Sequence, residues 1–273
     1  MLQDAGGPGP VTVAPAAPRV TPHRHRRPPS PARPYGNALP CWVANSTPRL
    51  PAHGHGHAGT LAGEPVRLLP ERALWLPERH TLLVADLHWG KAAAFRASHI
   101  PVPVGTTAAD LDRLAAVLAH TGATRLVVLG DLWHSRAGLH TGTLATITAW
   151  RERHPALAIT LVRGNHDRHA GDPPPALAMA CHEPPLALGP LALVHEPTEP
   201  PRPGAPYQVG GHFHPSVTMT GPGRQRLRLP CFVVGPHRAL LPAFGSFTGG
   251  GMHQPRPGDR HFAIADDEVL AVD

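Results

Sequence analysis

The chain has 273 residues with a formal net charge of +6, and it is rich in Pro, Gly and His. That length is enough for one or two domains. Its three cysteines, Cys41, Cys181 and Cys231, have no CxxC spacing, which argues against a disulfide framework and a cysteine-type zinc site. No apolar run approaches the roughly 18–20 residues that span a bilayer, and the first thirty residues lack the apolar core of a signal peptide. We therefore expect a soluble, cytoplasmic protein.

Residues 1–60 differ in composition from the rest of the chain. They contain 12 of the 36 Pro and six Arg against one acid, Asp4, so they carry most of the net charge. So few large apolar side chains cannot bury enough surface to offset the entropy of ordering. We predict a disordered Pro/Arg/His-rich N-terminal extension over 1–60 and one folded domain over 61–273. The extension could be a low-complexity segment, the product of an over-extended start site, a basic arm for nucleic acid or a metal-binding His tract.

From residue 61 onwards, short apolar runs alternate at first with helical patterns. The pattern over 106–122 predicts a helix with an N-cap at Thr106 or Thr107 and a stop at Gly122, and a second helix is predicted over 143–155. Strands alternating with helices predict an α/β fold with parallel pairing. After residue 170 the helical patterns fade, which indicates a second, more antiparallel sheet in the same domain. The apolar runs cover residues 81–88, 125–131, 158–165, 191–195, 207–214 and 229–234.

Polar residues capable of metal binding follow these runs in a fixed order. In open α/β sheets, active sites gather beyond the carboxyl ends of the strands. Each motif alone is weak, but the ordered set after successive apolar runs is specific, and its oxygen and nitrogen donors suit manganese, iron or zinc. The motifs are Asp86-Leu87-His88, Gly130-Asp131, Gly164-Asn165-His166-Asp167, His195 and Gly211-His212-Phe213-His214.

This ordered set resembles the calcineurin-like metallophosphoesterase superfamily. The resemblance implies an α/β fold in which two mixed β-sheets form a sandwich flanked by helices (αββα). It also implies two divalent metal ions, with Mn²⁺ as first choice and Fe or Zn as alternatives. By resemblance, the first metal is held by Asp86, His88, Asp131 and His214, and the second by Asp131 as a bridge together with Asn165, His195 and His212. His166 would assist the leaving group and Asp167 would orient it, while a metal-bridging hydroxide attacks phosphorus in line.

Three longer stretches, 69–114, 161–174 and 229–250, resemble one bacterial branch of that superfamily, the ligase-associated DNA damage response endonucleases of the PdeM type. The resemblance covers residues from about 64 to 273. It departs from the branch at Trp89, where Leu is usual before Gly90-Lys91. It departs again at Glu196, where a second His is common, and Glu196 would alter the charge or water structure beside the second metal.

Three further residues are candidates for substrate binding. Lys91 is the single Lys among 25 basic residues, and it follows a metal motif by three positions. A compact ammonium there could meet a substrate phosphate or pair with a carboxylate behind the ligands. His134 and Arg168 flank the second and third motifs, and either could contact the substrate.

The branch resemblance favours a dinuclear-metal-dependent phosphodiesterase that acts as a DNA endonuclease on single-stranded or structured DNA, with a ligase and a helicase-like protein as repair partners. The same metal core could instead serve a phosphatase or a cyclic- or dinucleotide phosphodiesterase. A non-catalytic metal-binding interaction module is the third alternative. No membrane partner is expected.

Overall fold

The computed structural model describes residues 56–198, 204–251, 253 and 255–272. All described residues belong to one compact unit. The predicted extension therefore lies outside the described residues except for its last five. Strand β1 (His57–Leu61) begins four residues before the predicted domain boundary, and only Leu61 in it is buried. A polar, Gly-containing edge strand of this kind has no apolar pattern to reveal it. None of the described helices combines the length and apolarity that crossing a membrane requires.

The first sheet has seven strands in chain order, from β1 to β7. Neighbouring strands from β1 to β4 pair antiparallel, and those from β4 to β7 pair parallel. The parallel part confirms the pairing predicted for the first three apolar runs. The strands after β1 are β2 (Glu64–Leu69), β3 (Ala73–Leu76), β4 (Thr81–Val84), β5 (Arg125–Leu129), β6 (Ala158–Val162) and β7 (Met179–His182).

The second sheet has the order β15-β14-β12-β13-β10-β9-β8, with β11 paired to β12. Strands β9, β10 and β13 pair in parallel, and the remaining neighbours pair antiparallel. This sheet is the more antiparallel of the two, as predicted. Its strands are β8 (Leu186–Leu188), β9 (Leu191–Leu193), β10 (Tyr207–Gly210), β11 (Ser216–Thr220), β12 (Arg226–Val234), β13 (Arg238–Leu240), β14 (Arg260–Ala265) and β15 (Glu268–Val272).

The core has two layers because strand β4 is buried on both faces. Successive side chains of a strand point to opposite faces of its sheet. Leu82 and Val84 accordingly pack with the helices on the outer face of the first sheet, while Leu83 packs between the two sheets with residues such as Phe232. The predicted fold class, an α/β sandwich of two mixed sheets flanked by helices, is confirmed.

The helices of the described residues are α1 (Lys91–Ala97), α2 (Thr106–Thr121), α3 (Thr141–Glu152) and α4 (Asn165–Ala170). Helix α2 ends at Gly122, which has a φ of 66° as a left-handed cap, in agreement with the prediction. Its N-cap is Gly105, so the predicted capping role of Thr106 or Thr107 is wrong. Helix α3 begins earlier than predicted because the His140 side chain accepts the N–H of Thr143 and caps it.

Candidate metal centre

The residues that follow β4, β5, β6, β9 and β10 converge at one edge of the sandwich. Among the described residues they form three groups of side chains whose ligand atoms lie within 4.8 Å of one another: His88, His134 and His166 make one, and the other two each contain a carboxylate. Of these two, the first group contains Asp86, His88 and His214, and the second contains Asp131, His195 and His212. Side chains up to 128 residues apart in the sequence therefore meet at one site.

The three donor atoms of the first group converge on a common point. The Nε2 atoms of His88 and His214 lie 3.4 Å apart, and His214 Nε2 is 3.3 Å from Oδ1 of Asp86. Asp86 Oδ2 accepts the main-chain N–H of His212 at 2.9 Å. This bond fixes the carboxylate and leaves Oδ1 directed at the two imidazoles.

The second group is assembled around His195. Its Nδ1–H donates to the carbonyl of Leu129 at 2.9 Å, so Nε2 is the nitrogen that presents a lone pair to a metal ion once the ring is neutral. That Nε2 atom lies 3.0 Å from Oδ1 of Asn165, 3.0 Å from Nδ1 of His212 and 3.4 Å from Oδ1 of Asp131. The side chain of Asn165 therefore lies against the second group.

Asp131 lies between the two groups. Its Oδ1 faces His195, while its Oδ2 is 3.7 Å from Nε2 of His88 in the first group. The main-chain N–H of His166 donates to Oδ1 at 3.0 Å and holds the carboxylate in place. A carboxylate shared in this way has the geometry expected of a bridging ligand.

The backbone is left-handed at most of the candidate ligands. Non-Gly residues seldom adopt positive φ, although Asn, Asp and His do so several times more often than other residues. Strain of this kind gathers at functional sites, where the surrounding structure holds it in place. The residues concerned are Asp86 (54°), His88 (46°), Asp131 (51°), His212 (69°) and His214 (45°).

Two glycines let the strands' loops approach each other closely. A Cβ on Gly130, which also has a φ of 78°, would lie 2.3 Å from the ring of His195. A Cβ on Gly211 would lie 2.3 Å from Oδ2 of Asp86. At Gly211, the absence of a side chain is therefore what lets the backbone come this close to Asp86.

The electrostatics of the site come from burying opposite charges together. Burial lowers the pKa of His88 to about 2, so its imidazole is neutral and free to bind a cation. Burial raises the pKa of Asp131, but His195, the main-chain N–H of His166 and the charge of His88 together outweigh burial and bring that pKa down to about 2. Burial lowers the pKa of His195, but the carboxylates of Asp131 and Asp86 outweigh it and raise that pKa to about 9. The centre is thus arranged around anionic carboxylates that attract positive charge.

These donors fit divalent metal ions. Asp86 is fully buried, yet its Oδ1 has no hydrogen-bond partner among the described residues. A buried carboxylate oxygen without a partner is costly, and a cation between it and the two facing imidazoles would remove that cost. Carboxylate, imidazole and amide donors without a thiolate suit Mn, Fe or Zn.

His166 lies beside the two groups with its Nε2 directed at them. Its Nδ1–H donates to the main-chain carbonyl of His134 at 2.6 Å, and Nε2 is 3.9 Å from Oδ2 of Asp131. The ring of His134 stacks on that of His166, with centroids 5.4 Å apart. The side chain of His166 is 36% exposed, so a substrate atom can reach its Nε2.

The predicted role of Asp167 is wrong. Its carboxylate accepts the main-chain N–H groups of Gly164, at 2.9 Å, and Trp133, at 3.2 Å. Neighbouring residues at the start of a helix point in different directions, so the Asp167 side chain turns away from the ring of His166 and caps α4. The carbonyl of His134 orients His166 instead, and a main-chain acceptor leaves no signal in the sequence.

The candidates for substrate binding have different surroundings. Lys91 is half-buried at the start of α1, where burial lowers its pKa, and it takes part in none of the ion pairs found among the described residues. Its charge also acts on His88 and His134. Arg168 is exposed and pairs with Glu183 at 2.8 Å. Lys91 therefore has a free charge close to the centre, whereas Arg168 already has a partner.

A loop within the stretch 229–250, which the sequence indicated only through the family resemblance, packs against the first metal motif. It follows β13, and the N–H groups of Phe244 and Gly245 donate to the carbonyls of Ala85 and Asp86, at 2.8 and 3.2 Å. Asp110 of α2 is buried and accepts the N–H of Ser246 at 3.1 Å. The loop is thus fastened both to the first metal motif and to a helix.

The chain is similar to solved structures of a nuclease and of a phosphoesterase. The crystal structure of Pseudomonas putida nuclease MPE aligns at 40% sequence identity and a TM-score of 0.69, covering 80% of this chain and all of that one. YfcE, a phosphoesterase from E. coli, aligns at 17% identity, with a TM-score of 0.34 and coverage of 68% and 88%, which is too distant to bear on the site. No family model and no curated protein matches the chain. With all of nuclease MPE covered at 40% identity, the chain belongs to the same metallophosphoesterase family as that nuclease.

Proposed function

We propose that this protein is a metal-dependent phosphodiesterase that cleaves DNA as an endonuclease. The observation that carries the proposal is the pair of Asp/His groups that share Asp131, in a chain 40% identical to a nuclease. In two-metal sites, a shared carboxylate holds the ions close enough to act on one phosphate. When bound, the ions would polarise the phosphodiester and lower the pKa of a water molecule.

Each ion would have its own set of ligands in this chain. Asp86, His88 and His214 would hold the first together with Asp131. Asn165, His195 and His212 would hold the second, again with Asp131. The mixed donors favour Mn²⁺, and Fe or Zn suit the same set.

His166 would hold the proton that the leaving oxygen needs. Its Nδ1–H is committed to the carbonyl of His134 at 2.6 Å, so the ring cannot turn and Nε2 stays directed at the centre. A proton on Nε2 can pass to an oxygen that departs from phosphorus. Stacking of His134 on the same ring supports that orientation.

Lys91 would bind a non-bridging phosphate oxygen. Its ammonium is half-buried beside His88 and lacks a paired acid among the described carboxylates. A half-buried ammonium without a paired acid is stabilised when an anionic phosphate binds beside it. A compact ammonium also fits where the planar guanidinium of Arg would need more space.

The biological setting follows from the branch resemblance. A ligase-associated endonuclease would act on single-stranded or structured DNA together with a ligase and a helicase-like protein. Cys181 and Cys231 are free thiols, which suits the reducing cytoplasm.

A manganese-supplemented assay tests the function. It compares single-stranded, duplex and branched DNA with a cyclic nucleotide and a phosphomonoester, and Asp131→Asn serves as the inactive control. We expect cleavage of DNA that EDTA abolishes and that Asp131→Asn lacks. Faster hydrolysis of the cyclic nucleotide or the monoester than of any DNA would overturn the proposal.

A further inference from the structure

A cavity of about 150 Å³ opens beside the first metal group. At roughly 30 Å³ for each water molecule, it has room for about five of them. A phosphate group, with five heavy atoms, is of similar size. We name the cavity the arginine pocket after its two cationic side chains. Its polar lining consists of Arg72, Arg228, Ser216, Ser246, Thr248 and the candidate ligand His214.

The two guanidinium groups have unused donors and no acid of their own. Arg228 is exposed, and its one hydrogen bond among the described residues runs from Nε to Oγ of Ser216 at 2.7 Å. Arg72 is half-buried and makes one long bond, from Nη1 to the carbonyl of Ala243 at 3.4 Å. Neither forms an ion pair within the part of the chain that the structure describes. Burial lowers the pKa of Arg72, which is the sign of a cation that lacks compensation.

The nearby acid is already occupied. Asp110 acts on Arg72 only from beyond ion-pair distance. Its Oδ1 accepts from Nη2 of Arg113 at 3.0 Å, and its carboxylate also accepts the N–H of Ser246. The positive charge of the pocket is therefore left for an external anion.

The pocket has firm walls. Gly251 N–H donates to the carbonyl of His214 at 2.7 Å, and Oγ of Ser216 donates to the carbonyl of Gly251 at 2.8 Å. Together with the bond from Ser246 to Asp110, these contacts fasten both ends of the loop over 245–251. Rigid walls reduce the entropy that is lost when an anion binds.

We propose that the arginine pocket binds the phosphate next to the scissile phosphate of a polynucleotide. His214 belongs both to the first metal group and to the pocket wall, so the two phosphates would be neighbours along one strand. A cyclic nucleotide or a phosphomonoester has one phosphate and cannot fill both positions. The pocket thus selects nucleic-acid chains over small phosphoesters, and this inference rests on the proposed function.

The kinetic test compares substrates with one phosphate and with two. The substrates are a chromogenic phosphodiester, thymidylyl-thymidine and its trinucleoside homologue, assayed with manganese. In the parent protein, kcat/KM rises from the dinucleoside to the trinucleoside substrate. The measured quantity is the ratio of kcat/KM for the trinucleoside to kcat/KM for the dinucleoside. In Arg228→Ala this gain should fall by about 10- to 100-fold, the range for one lost charge-assisted hydrogen bond. Arg228→Lys keeps part of the gain because it keeps the charge.

Arg125→Ala is the matched control. Arg125 is exposed at the start of β5, at the opposite end of the strand from Asp131, so the variant should keep the full gain. If Arg228→Ala shows the same gain as the parent and Arg125→Ala, the pocket does not bind the second phosphate.

Binding without turnover separates this inference from the proposed function. The affinity of a fluorescent decathymidylate is measured by anisotropy in EDTA over a range of salt. Arg228→Ala should flatten the plot of log affinity against log salt by about 0.7, the value for one phosphate contact with a single strand. An unchanged slope overturns the pocket even if cleavage is observed. A flattened slope in a protein that cleaves no DNA keeps the pocket and overturns the endonuclease.

Discussion

Two single variants, Asp131→Asn and His166→Ala, are compared in parallel to separate metal binding from proton donation. Asp131 faces both groups, with Oδ1 3.4 Å from His195 and Oδ2 3.7 Å from His88. Asn keeps the shape of the side chain and removes its charge, so both ions would lose their shared ligand. His166 donates its main-chain N–H to Asp131 and keeps its Nε2 3.9 Å from Oδ2 of that residue, but it belongs to neither of the two groups that contain the carboxylates. We therefore expect Asp131→Asn to lose metal binding and His166→Ala to keep it.

The magnitudes follow from linkage and from the size of the domain. An ion that binds only the folded state at 100 times its Kd stabilises it by about 2.7 kcal/mol. A domain of 150–250 residues gains roughly 2–4 °C in Tm per kcal/mol, so each bound ion should raise Tm by about 5–11 °C. Loss of a positioned general acid costs about 10²–10⁴ in rate.

The assay records Tm with manganese and with EDTA, and it also records hydrolysis of a chromogenic phosphodiester. The parent protein and His166→Ala should show the metal-induced rise, but only the parent should turn over at the full rate. Asp131→Asn should show neither. Asp112→Asn, which removes an exposed carboxylate from α2, controls for the change of charge. The reasoning is refuted if Asp131→Asn keeps the full rise in Tm, or if His166→Ala keeps the parental rate.

The other predictions concern the support around the centre. Gly211→Ala should abolish the metal-induced rise in Tm because its Cβ would lie 2.3 Å from Oδ2 of Asp86, whereas Gly59→Ala, with nothing within 4 Å, should keep it; equal rises would contradict this. Lys91→Met should lower kcat/KM on phosphodiesters about tenfold, and Lys91→Arg should not restore it; a fully active Lys91→Arg would refute the role. Asp167→Ala should lower the free energy of unfolding by roughly 2–6 kcal/mol, since two main-chain N–H groups lose their acceptor. Urea denaturation in EDTA measures that loss, and a value below 1 kcal/mol would contradict the capping role.

The parallel strands and the order of the ligands could be predicted because both depend on local sequence. Strand β4 is apolar and buried on both faces, so its residues form an uninterrupted apolar run. A polar residue that ends such a run lies at the carboxyl edge of the sheet, where ligands converge. Asp86, Asp131 and His195 could therefore be assigned to one site without any knowledge of their distances.

What could not be predicted depends on contacts between distant residues. Helices α1 and α4 have only seven and six residues, and helices this short owe their stability to tertiary packing. Arg72 and Arg228 meet at one pocket across 156 positions of sequence, and nothing in either neighbourhood marks the pair. The role of Asp167 was misjudged for the opposite reason. Its closeness to His166 in sequence suggested a contact that the start of the helix does not allow.

The left-handed backbone at five candidate ligands connects the fold to the chemistry. A left-handed residue costs about 1–2 kcal/mol, so five of them cost roughly 5–10 kcal/mol, comparable to the stability of a whole domain. Hydrogen bonds between the loops offset this cost, among them the N–H groups of Asp86 and His88 donating to the carbonyls of Gly130 and Asp131. Asp, Asn and His tolerate this conformation better than other residues with side chains. The residue types that tolerate a left-handed backbone are therefore the same ones that can bind a metal ion. For this reason Asp131→Asn, which keeps the conformational tolerance and removes only the charge, tests the site more cleanly than Asp131→Ala.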